Sequence, residues 1–199
     1  MKLQGKKVAV LIESDFYEPE IHYYQHRFRE EGIELHFLTR LWGQDSLPFK
    51  GHEYHVPFDD IEETFEGVSD AQLREYAAII VPSGIVADRL RYTEDITRLP
   101  PATEFLKRAF AEKSILKGII CHGMWLVAPA PELVRGRRVV AHNNLLGDVK
   151  NMGAIYVDED VVVDGDLVTA RTGGHCHQFA RKIIELLYEA ADSGLAKAA

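Results

Sequence analysis

The sequence of 199 residues is poor in cysteine and has no long apolar run, and each scarcity excludes a class of protein. Two cysteines, Cys121 and Cys176, are too few for the disulfide framework of a small secreted domain. No apolar run approaches the ~20 residues that a membrane-spanning helix needs, and residues 1–7 lack the apolar core of a signal peptide. We therefore expect a cytoplasmic protein that does not contact a membrane.

Positive charge is also scarce. The chain has 23 Lys and Arg residues against 31 Asp and Glu residues, so its formal net charge is −8. Chains of this charge bind nucleic acids and anionic lipids poorly, and we expect neither as a partner. A glycine-rich, phosphate-binding loop is missing after the first predicted strand, where residues 14–18 are acidic and bulky. This argues against a nucleotide or flavin site.

Apolar strand patterns alternate with helical patterns along the chain. A short β-branched apolar run predicts a strand buried on both faces at residues 7–13. Further strands are predicted at residues 34–38, at residues 75–82, where the strand is buried, and at residues 114–121. Helical patterns occupy residues 18–31, 101–112 and 177–191. Turn signals predict a hairpin from residues 160–163 and 167–171, and a loop or small hairpin at residues 42–58. Since neither a repeat nor a linker interrupts the pattern, we expect a single α/β domain over residues 1–199, with a mostly parallel sheet covered on both faces.

The sequence Gly-Ile-Ile-Cys-His-Gly at residues 118–123 is the most informative segment. Ligands of parallel sheets bind where strands end, and here a predicted strand ends at Cys121 in the pattern of a nucleophile elbow. A tight turn would expose the sulfur, the start of a helix would favour the thiolate, and His122 could take a proton. Gly123 would let the backbone approach the turn closely. The alternative is a buried, chemically inert cysteine.

Residues 118–123 resemble the Cys-His-Gly elbow of the ThiJ/PfpI family, also called the DJ-one superfamily. Four more segments agree with that family in order and spacing, namely residues 15–20, 26–32, 80–84 and 161–171. The resemblance covers residues 7–187 and implies a flavodoxin-like three-layer sandwich with a mostly parallel sheet, of the class I glutamine amidotransferase type. It also implies a cysteine enzyme without cofactor or metal that acts as a homo-oligomer, a dimer or a hexamer.

The resemblance assigns Cys121 as the nucleophile and Glu20 as the carboxyl group that touches it and sets its protonation. Glu18 is the nearby competitor for that role, and both residues could instead complement the dipole of a first helical turn. His122 would be oriented by an acid from a neighbouring subunit, and the matching position here is Asp88. Asp88 is one methylene shorter than the glutamate that the family often has there, and a solvated salt bridge with Arg89 or Arg91 is the alternative.

The resemblance also predicts an oxyanion site. The backbone N–H groups of Gly84 and His122 would form it, and Ser83 replaces the first glycine of the family's Pro-Gly-Gly. Lys50 either matches a family lysine near the pocket rim or is a solvated loop residue. His175 would line the mouth of the pocket.

A metal site at residues 175–177, His-Cys-His, is disfavoured because adjacent side chains point in different directions. We interpret the remaining histidines as surface or core residues, namely His22, His26, His36, His52, His55 and His142.

Three functions stay open at this stage. The first is a cysteine-dependent enzyme acting on a small carbonyl or amide substrate, since members of the family are described as glyoxalases that consume methylglyoxal, deglycases, amidases, peptidases and isonitrile hydratases. The second is a non-enzymatic, redox-sensing stress-response protein, because an accessible thiol of low pKa also suits oxidation to a sulfinic acid. The third is a flavodoxin-like binding domain with an inert cysteine. An enzyme would turn over repeatedly, whereas a sensor would be modified once.

Overall fold

The computed structural model describes residues 2–198, and the side chains of residues 2–193. The main sheet has six strands, namely β1 (Lys7–Leu11), β2 (Glu34–Leu38), β5 (Tyr76–Val81), β6 (Leu116–Ile120), β9 (Val161–Asp164) and β10 (Leu167–Ala170). Their order in the sheet is β2-β1-β5-β6-β10-β9, and all neighbours are parallel except β9 and β10. The mostly parallel α/β sheet expected from the sequence is therefore confirmed.

Two small sheets lie outside this one. An antiparallel pair is formed by β3 (Leu47–Lys50) and β4 (Pro57–Ile61), and a parallel pair by β7 (Arg138–Val139) and β8 (Ile155–Tyr156). The first pair is the hairpin predicted in residues 42–58, extended by three residues. The predicted hairpin of β9 and β10 also forms, with Leu167 opposite Asp164.

The α-helices are α1 (Glu18–Glu30), α2 (Asp70–Leu73), α3 (Val86–Leu90), α4 (Pro101–Ala111), α5 (Leu146–Asn151) and α6 (Cys176–Ala198). Helices α1 and α6 pack against each other, and α6 also contacts β6 and β10. The long helices α1, α4 and α6 match the helical patterns, although α6 extends past the predicted residue 191. The short helices α2, α3 and α5 were not predicted, because four to six residues are too few to display a helical period.

The core of the fold is the sheet. The four residues Val8–Leu11 are fully buried, as β-branched strands covered on both faces should be. Gly118 on β6 leaves space for α6, since a Cβ there would lie 2.7 Å from the Phe179 ring. Within the described part of the chain, no helix combines the length and the apolarity that crossing a bilayer requires.

Candidate active site

Three loops meet at the carboxyl ends of the parallel strands. The loop after β1 makes a single bridge from Phe16 to Gly84 in the loop after β5, and the N–H of Ile85 donates to the carbonyl oxygen of Asp15 at 2.9 Å. Gly84 has φ of +85°, and a Cβ there would lie 2.3 Å from that same oxygen. Only glycine fits this crossing, which holds the two loops beside the end of β6.

Cys121 is the first residue after β6 and opens a 3-10 helix, Cys121–Val127, rather than an α-helix. Its φ of 60° is left-handed, which is uncommon for a residue with a side chain and is frequent at functional turns. Gly123 packs on the neighbouring strand end, because a Cβ there would lie 2.7 Å from the carbonyl oxygen of Val81. This is the strand-turn-helix geometry of the predicted elbow, with the tight approach at Gly123 that the sequence suggests.

The Cys121 thiol is buried, with only 7% of the residue exposed. Burial raises its pKa to about 11, and the Glu20 carboxylate adds to this. The backbone N–H groups of Gly173, His122 and Gly84 act in the opposite direction, because they point towards the sulfur and favour the thiolate. The elbow pattern in the sequence predicts an exposed sulfur that is readily ionised. In the structure burial outweighs these donors, so the resting form is the thiol and a reaction needs a base.

Glu20 is fully buried on α1, and it lies close enough to Cys121 for its charge to raise the pKa of that thiol. Its Oε2 accepts hydrogen bonds from both the backbone N–H and the hydroxyl of Ser83. Its Oε1 has no hydrogen-bond partner among the described residues, and neither has the hydroxyl of Tyr24 on the next helical turn. Burial raises the pKa of Glu20 to about 7, although the hydrogen bonds from Ser83 oppose the rise. Glu20 can therefore hold or release a proton near neutral pH.

The His122 ring lies beside the sulfur. Its Nδ1 lies 3.2 Å from Sγ of Cys121, and its ring contacts the rings of Trp125 and His142 at centroid distances of 4.9 and 4.6 Å. Burial, together with His142, lowers the pKa of His122, so the imidazole is neutral at pH 7. In the tautomer that carries its hydrogen on Nε2, Nδ1 accepts the thiol proton.

A cavity of about 260 Å³ opens above the thiol. Its lining residues come from six segments of the chain and are Tyr17, His52, Glu53, Ser83, Gly84, Ile85, Cys121, His122, His142, Thr172, Gly173 and Gly174. His52 and His142 were interpreted as surface or core histidines, and the structure corrects this. His142 follows the short apolar run 139–141, a strand-end position that could have indicated it, whereas nothing in the sequence around His52 points to the site.

Glu18 is a buried anchor and does not line the cavity. Its two carboxylate oxygens accept the backbone N–H groups of Glu53 and Tyr54, each at 2.9 Å. Burial opposes ionisation, but these donors hold the pKa of Glu18 below its usual value. Gly51 is required beside it, since a Cβ there would lie 1.9 Å from the Glu18 carboxyl carbon. Glu18 therefore fixes the loop that carries His52 and Glu53 and is no competitor for Glu20.

Asp88 lies on α3 and does not reach His122 within the chain. Its carboxylate pairs with Arg91 at 2.6 Å, and the Arg91 guanidinium lies over the Trp125 ring at 5.2 Å from the centroid. The salt bridge that the sequence analysis kept as the alternative thus exists in the single chain. Whether Asp88 serves a neighbouring copy stays a prediction.

His175 points away from the cavity, contrary to the expectation that it lines the mouth. Its Nδ1 lies 2.8 Å from the Thr172 hydroxyl, and its Nε2 lies 3.4 Å from the Asp160 carboxylate. The neighbouring backbone of residues 172–174 lines the cavity instead. Lys50 is exposed on β3 and does not line the cavity, which fits the solvated alternative.

The other two residues of the His-Cys-His segment have surroundings of their own. Cys176 is a buried free thiol, and His177 Nδ1 lies 3.2 Å from the carbonyl oxygen of Gly174. Among the described residues, no three His, Cys, Asp or Glu side chains cluster as metal ligands.

Together these groups can perform nucleophilic addition and proton transfer. A thiol has a neutral imidazole in reach, and backbone N–H groups are directed at the sulfur. The charge of Glu20, a carboxyl group of pKa about 7, also acts on that thiol. The geometry suits addition to an electrophilic carbon that develops a negatively charged oxygen.

Comparison with known proteins agrees with the resemblance. The model of the DJ-1/PfpI family matches residues 6–186. A protein of Pyrococcus abyssi named a deglycase is 32% identical over 181 residues, which cover 91% of this chain and 99% of that protein. A protein of Escherichia coli named protein/nucleic acid deglycase 2 is 32% identical over 184 residues, covering 92% and 98% of the two chains.

Solved structures give the same result. DJ-1 of Schizosaccharomyces pombe superposes with a TM-score of 0.73 at 20% identity, covering 95% of this chain and 98% of that one. A protein of Anabaena variabilis with DJ-1/ThiJ/PfpI-like and ferritin-like domains superposes with a TM-score of 0.78 at 27% identity, and this chain covers 48% of it. The flavodoxin-like α/β fold is confirmed, and the chain belongs to the DJ-1/PfpI family.

Proposed function

We propose that this protein is a cysteine-dependent deglycase or glyoxalase that acts on small dicarbonyl compounds and their adducts through Cys121. The observation that carries this proposal is the 3.2 Å contact between the Cys121 sulfur and a neutral His122 Nδ1, beneath a cavity of about 260 Å³. Relatives about 30% identical to this chain are named deglycases. The small cavity favours a compact carbonyl compound over an extended peptide.

With methylglyoxal as the substrate, the reaction begins at the thiol. His122 Nδ1 takes the thiol proton, and the sulfur forms a bond to the aldehyde carbon while the carbonyl π bond breaks. The N–H groups of Gly84 and His122 stabilise the resulting oxyanion, which then takes a proton to give a hemithioacetal. Glu20, which is hydrogen-bonded to the hydroxyl of the cavity-lining Ser83, takes the hydrogen on that carbon as a proton and leaves an enediolate. A proton then returns to the adjacent carbon, and the hydroxyl proton passes from the first oxygen to the second, so that the carbonyl group now stands on the carbon bonded to sulfur. The product is a lactoyl thioester of Cys121.

Water completes the cycle. A water molecule attacks the thioester carbonyl, the C–S bond breaks, and the Cys121 sulfur recovers its proton as lactate leaves. The sum is methylglyoxal plus water giving lactate, with no net oxidation, so no cofactor is invoked. We further propose that a homo-oligomer places Asp88 of a neighbouring copy beside His122, which would orient the imidazole.

The test measures methylglyoxal consumption and lactate formation for the wild type, for Cys121→Ser and for Cys176→Ala. Cys176 does not line the cavity, so Cys176→Ala is the matched control and should retain turnover. Cys121→Ser should lose at least about 100-fold of the wild-type rate, because an alkoxide is far harder to form than a thiolate. Wild-type turnover by Cys121→Ser would contradict the mechanism.

A redox sensor gives a different result in the same samples. Peroxide would modify Cys121 once, and no lactate would accumulate. Burial raises the pKa of the Cys121 thiol to about 11, which disfavours rapid oxidation because the thiolate is the reactive form. Iodoacetamide alkylation against pH in Cys176→Ala therefore should have a midpoint above 8.5, the usual value of a free thiol.

A further inference from the structure

The cavity above Cys121 has one carboxylate at its edge and no Lys or Arg among its lining residues. That carboxylate belongs to Glu53, whose side chain is 48% exposed, whereas Cys121 is 7% exposed. Glu53 therefore lies on the solvent side of the thiol. A molecule that approaches the sulfur through this opening passes a single negative charge, on a chain whose net charge is −8.

The backbone that carries Glu53 is held in place by buried groups. Glu18 accepts the N–H groups of Glu53 and Tyr54, and the N–H of His52 donates to the carbonyl oxygen of Phe16 at 3.1 Å. Gly51 allows the close approach to Glu18. The buried Glu18 carboxylate binds the backbone of this loop and so keeps residue 53 at the opening. The negative charge of Glu53 therefore stays at the edge of the cavity.

His52 lies beside the carboxylate without binding it. Its Nδ1 lies 3.2 and 3.1 Å from the carbonyl oxygens of Asp15 and Phe16, which can only accept, so Nδ1 carries a proton. Its Nε2 lies 3.4 Å from Oε1 of Glu53, and in a neutral imidazole this nitrogen is an acceptor that leaves the carboxylate its charge. The ring of His52 stacks on Tyr17 at 5.8 Å, and the Glu53 carboxylate keeps an exposed face for a ligand.

We propose that Glu53 is a specificity residue that selects positively charged substrates over negatively charged ones at the Cys121 site. This rests on the proposed function and deepens it. The favoured substrates are carbonyl adducts that carry an ammonium or guanidinium group beside the reacting carbon, and adducts that carry a carboxylate there are disfavoured. The selection is electrostatic, because a cation gains and an anion loses energy near the exposed face of the carboxylate.

The test measures how fast charged reagents modify Cys121, so it reports the charge at the opening and does not depend on enzymatic turnover. Two thiol reagents of equal size and opposite charge are used, the 2-(trimethylammonium)ethyl and the 2-sulfonatoethyl methanethiosulfonates. Each forms a disulfide with Cys121 and releases methanesulfinate. Rates are measured in the Cys176→Ala background and divided by the rates with 2-mercaptoethanol. The normalised cation-to-anion ratio should be about tenfold, as expected of a half-exposed charge a few ångströms away.

Glu53→Gln should reduce that ratio to about threefold or less, and Glu53→Lys should invert it. Glu132→Gln is the matched control, since it removes an exposed carboxylate that lies outside the cavity and should keep the wild-type ratio. An equal ratio in the wild type and in Glu53→Gln would overturn the proposal. Because the loop is held through backbone N–H groups, the side-chain changes at residue 53 leave its anchor intact.

Substrate preference is then measured with three methylglyoxal hemithioacetals, made from 2-(dimethylamino)ethanethiol, 2-mercaptoethanol and 3-mercaptopropionate. The cationic adduct should give the highest kcat/KM and the anionic adduct the lowest. The difference in kcat/KM between them should be smaller in Glu53→Gln. Equal values for all three would contradict the proposal. A wild type that turns over none of them would contradict the proposed function, while the reagent ratio would still decide the role of Glu53.

Discussion

Replacing Glu20 by glutamine should stabilise the fold at neutral and alkaline pH, although it removes a group of the site. Glu20 is fully buried, and its Oε1 has no hydrogen-bond partner among the described residues. Keeping a negative charge there costs free energy, because a buried carboxylate loses its hydration without full compensation. Glutamine keeps the shape and can still accept from Ser83 through its carbonyl oxygen, but it carries no charge.

The size of the effect follows from the pKa of Glu20, which burial raises from 4.5 to about 7. The folded chain binds this proton more tightly than the unfolded chain does. The proton therefore contributes stability that is fully present below pH 4.5 and is lost as the pH rises through 7. The gap of about 2.5 between the two values, at 1.36 kcal/mol for each pKa unit, corresponds to about 3 kcal/mol.

The assay is urea unfolding of the wild type and Glu20→Gln between pH 4.5 and pH 8. The difference in free energy of unfolding should shift by about 3 kcal/mol in favour of Glu20→Gln over this range. Glu132→Gln, which removes an exposed carboxylate, should follow the wild type. A difference between the wild type and Glu20→Gln that stays constant with pH would refute the reasoning.

Three further variants test other parts of the site. Gly84→Ala should cost at least about 2 kcal/mol of stability in thermal unfolding, because residue 84 has a positive φ and a Cβ there would meet a carbonyl oxygen. Gly147→Ala is the control, since a Cβ there meets nothing within 4 Å, and its stability should stay within about 1 kcal/mol of the wild type. Glu18→Ala should cost about 2 kcal/mol and speed amide exchange at the two N–H groups it binds. Asp88→Ala should change stability by less than about 1 kcal/mol, since its pair with Arg91 is exposed. It should lower kcat only if a neighbouring copy supplies Asp88, so unchanged kinetics would remove it from the site.

The parallel sheet and the elbow were predictable because both depend on local patterns. A β-branched run such as residues 116–120 fits a strand covered on both faces, and a Cys-His-Gly sequence directly after it marks the turn. The direction of the Cys121 pKa was not predictable. The helix start and the backbone donors are local, but the burial that outweighs them comes from loops distant in the sequence, such as the one at Gly173.

The positions of the histidines were not predictable for the same reason, because loops distant in the sequence bring them to the site. His142 reaches the site because a loop after a short strand brings its ring to 4.6 Å from His122, and His52 because a hairpin folds back over the loop after β1. The path of neither loop follows from a local pattern in the sequence. His175 has the opposite outcome, since the backbone beside it lines the cavity while its side chain turns to Asp160.

The two carboxylates at the start of α1 separate into different roles for a physical reason. Glu18 and Glu20 are both buried and two residues apart, so they leave the helix in different directions. Glu18 receives a backbone N–H on each oxygen, which holds its pKa low and keeps it charged. Glu20 has one oxygen without a partner, and its pKa rises to about 7. A carboxyl group that exchanges its proton near neutral pH is suited to proton transfer, whereas one that stays ionised serves as an anchor. The hydrogen bonds around each residue, and not its position in the sequence, therefore leave Glu20 able to exchange a proton near neutral pH and keep Glu18 ionised as the anchor of the loop.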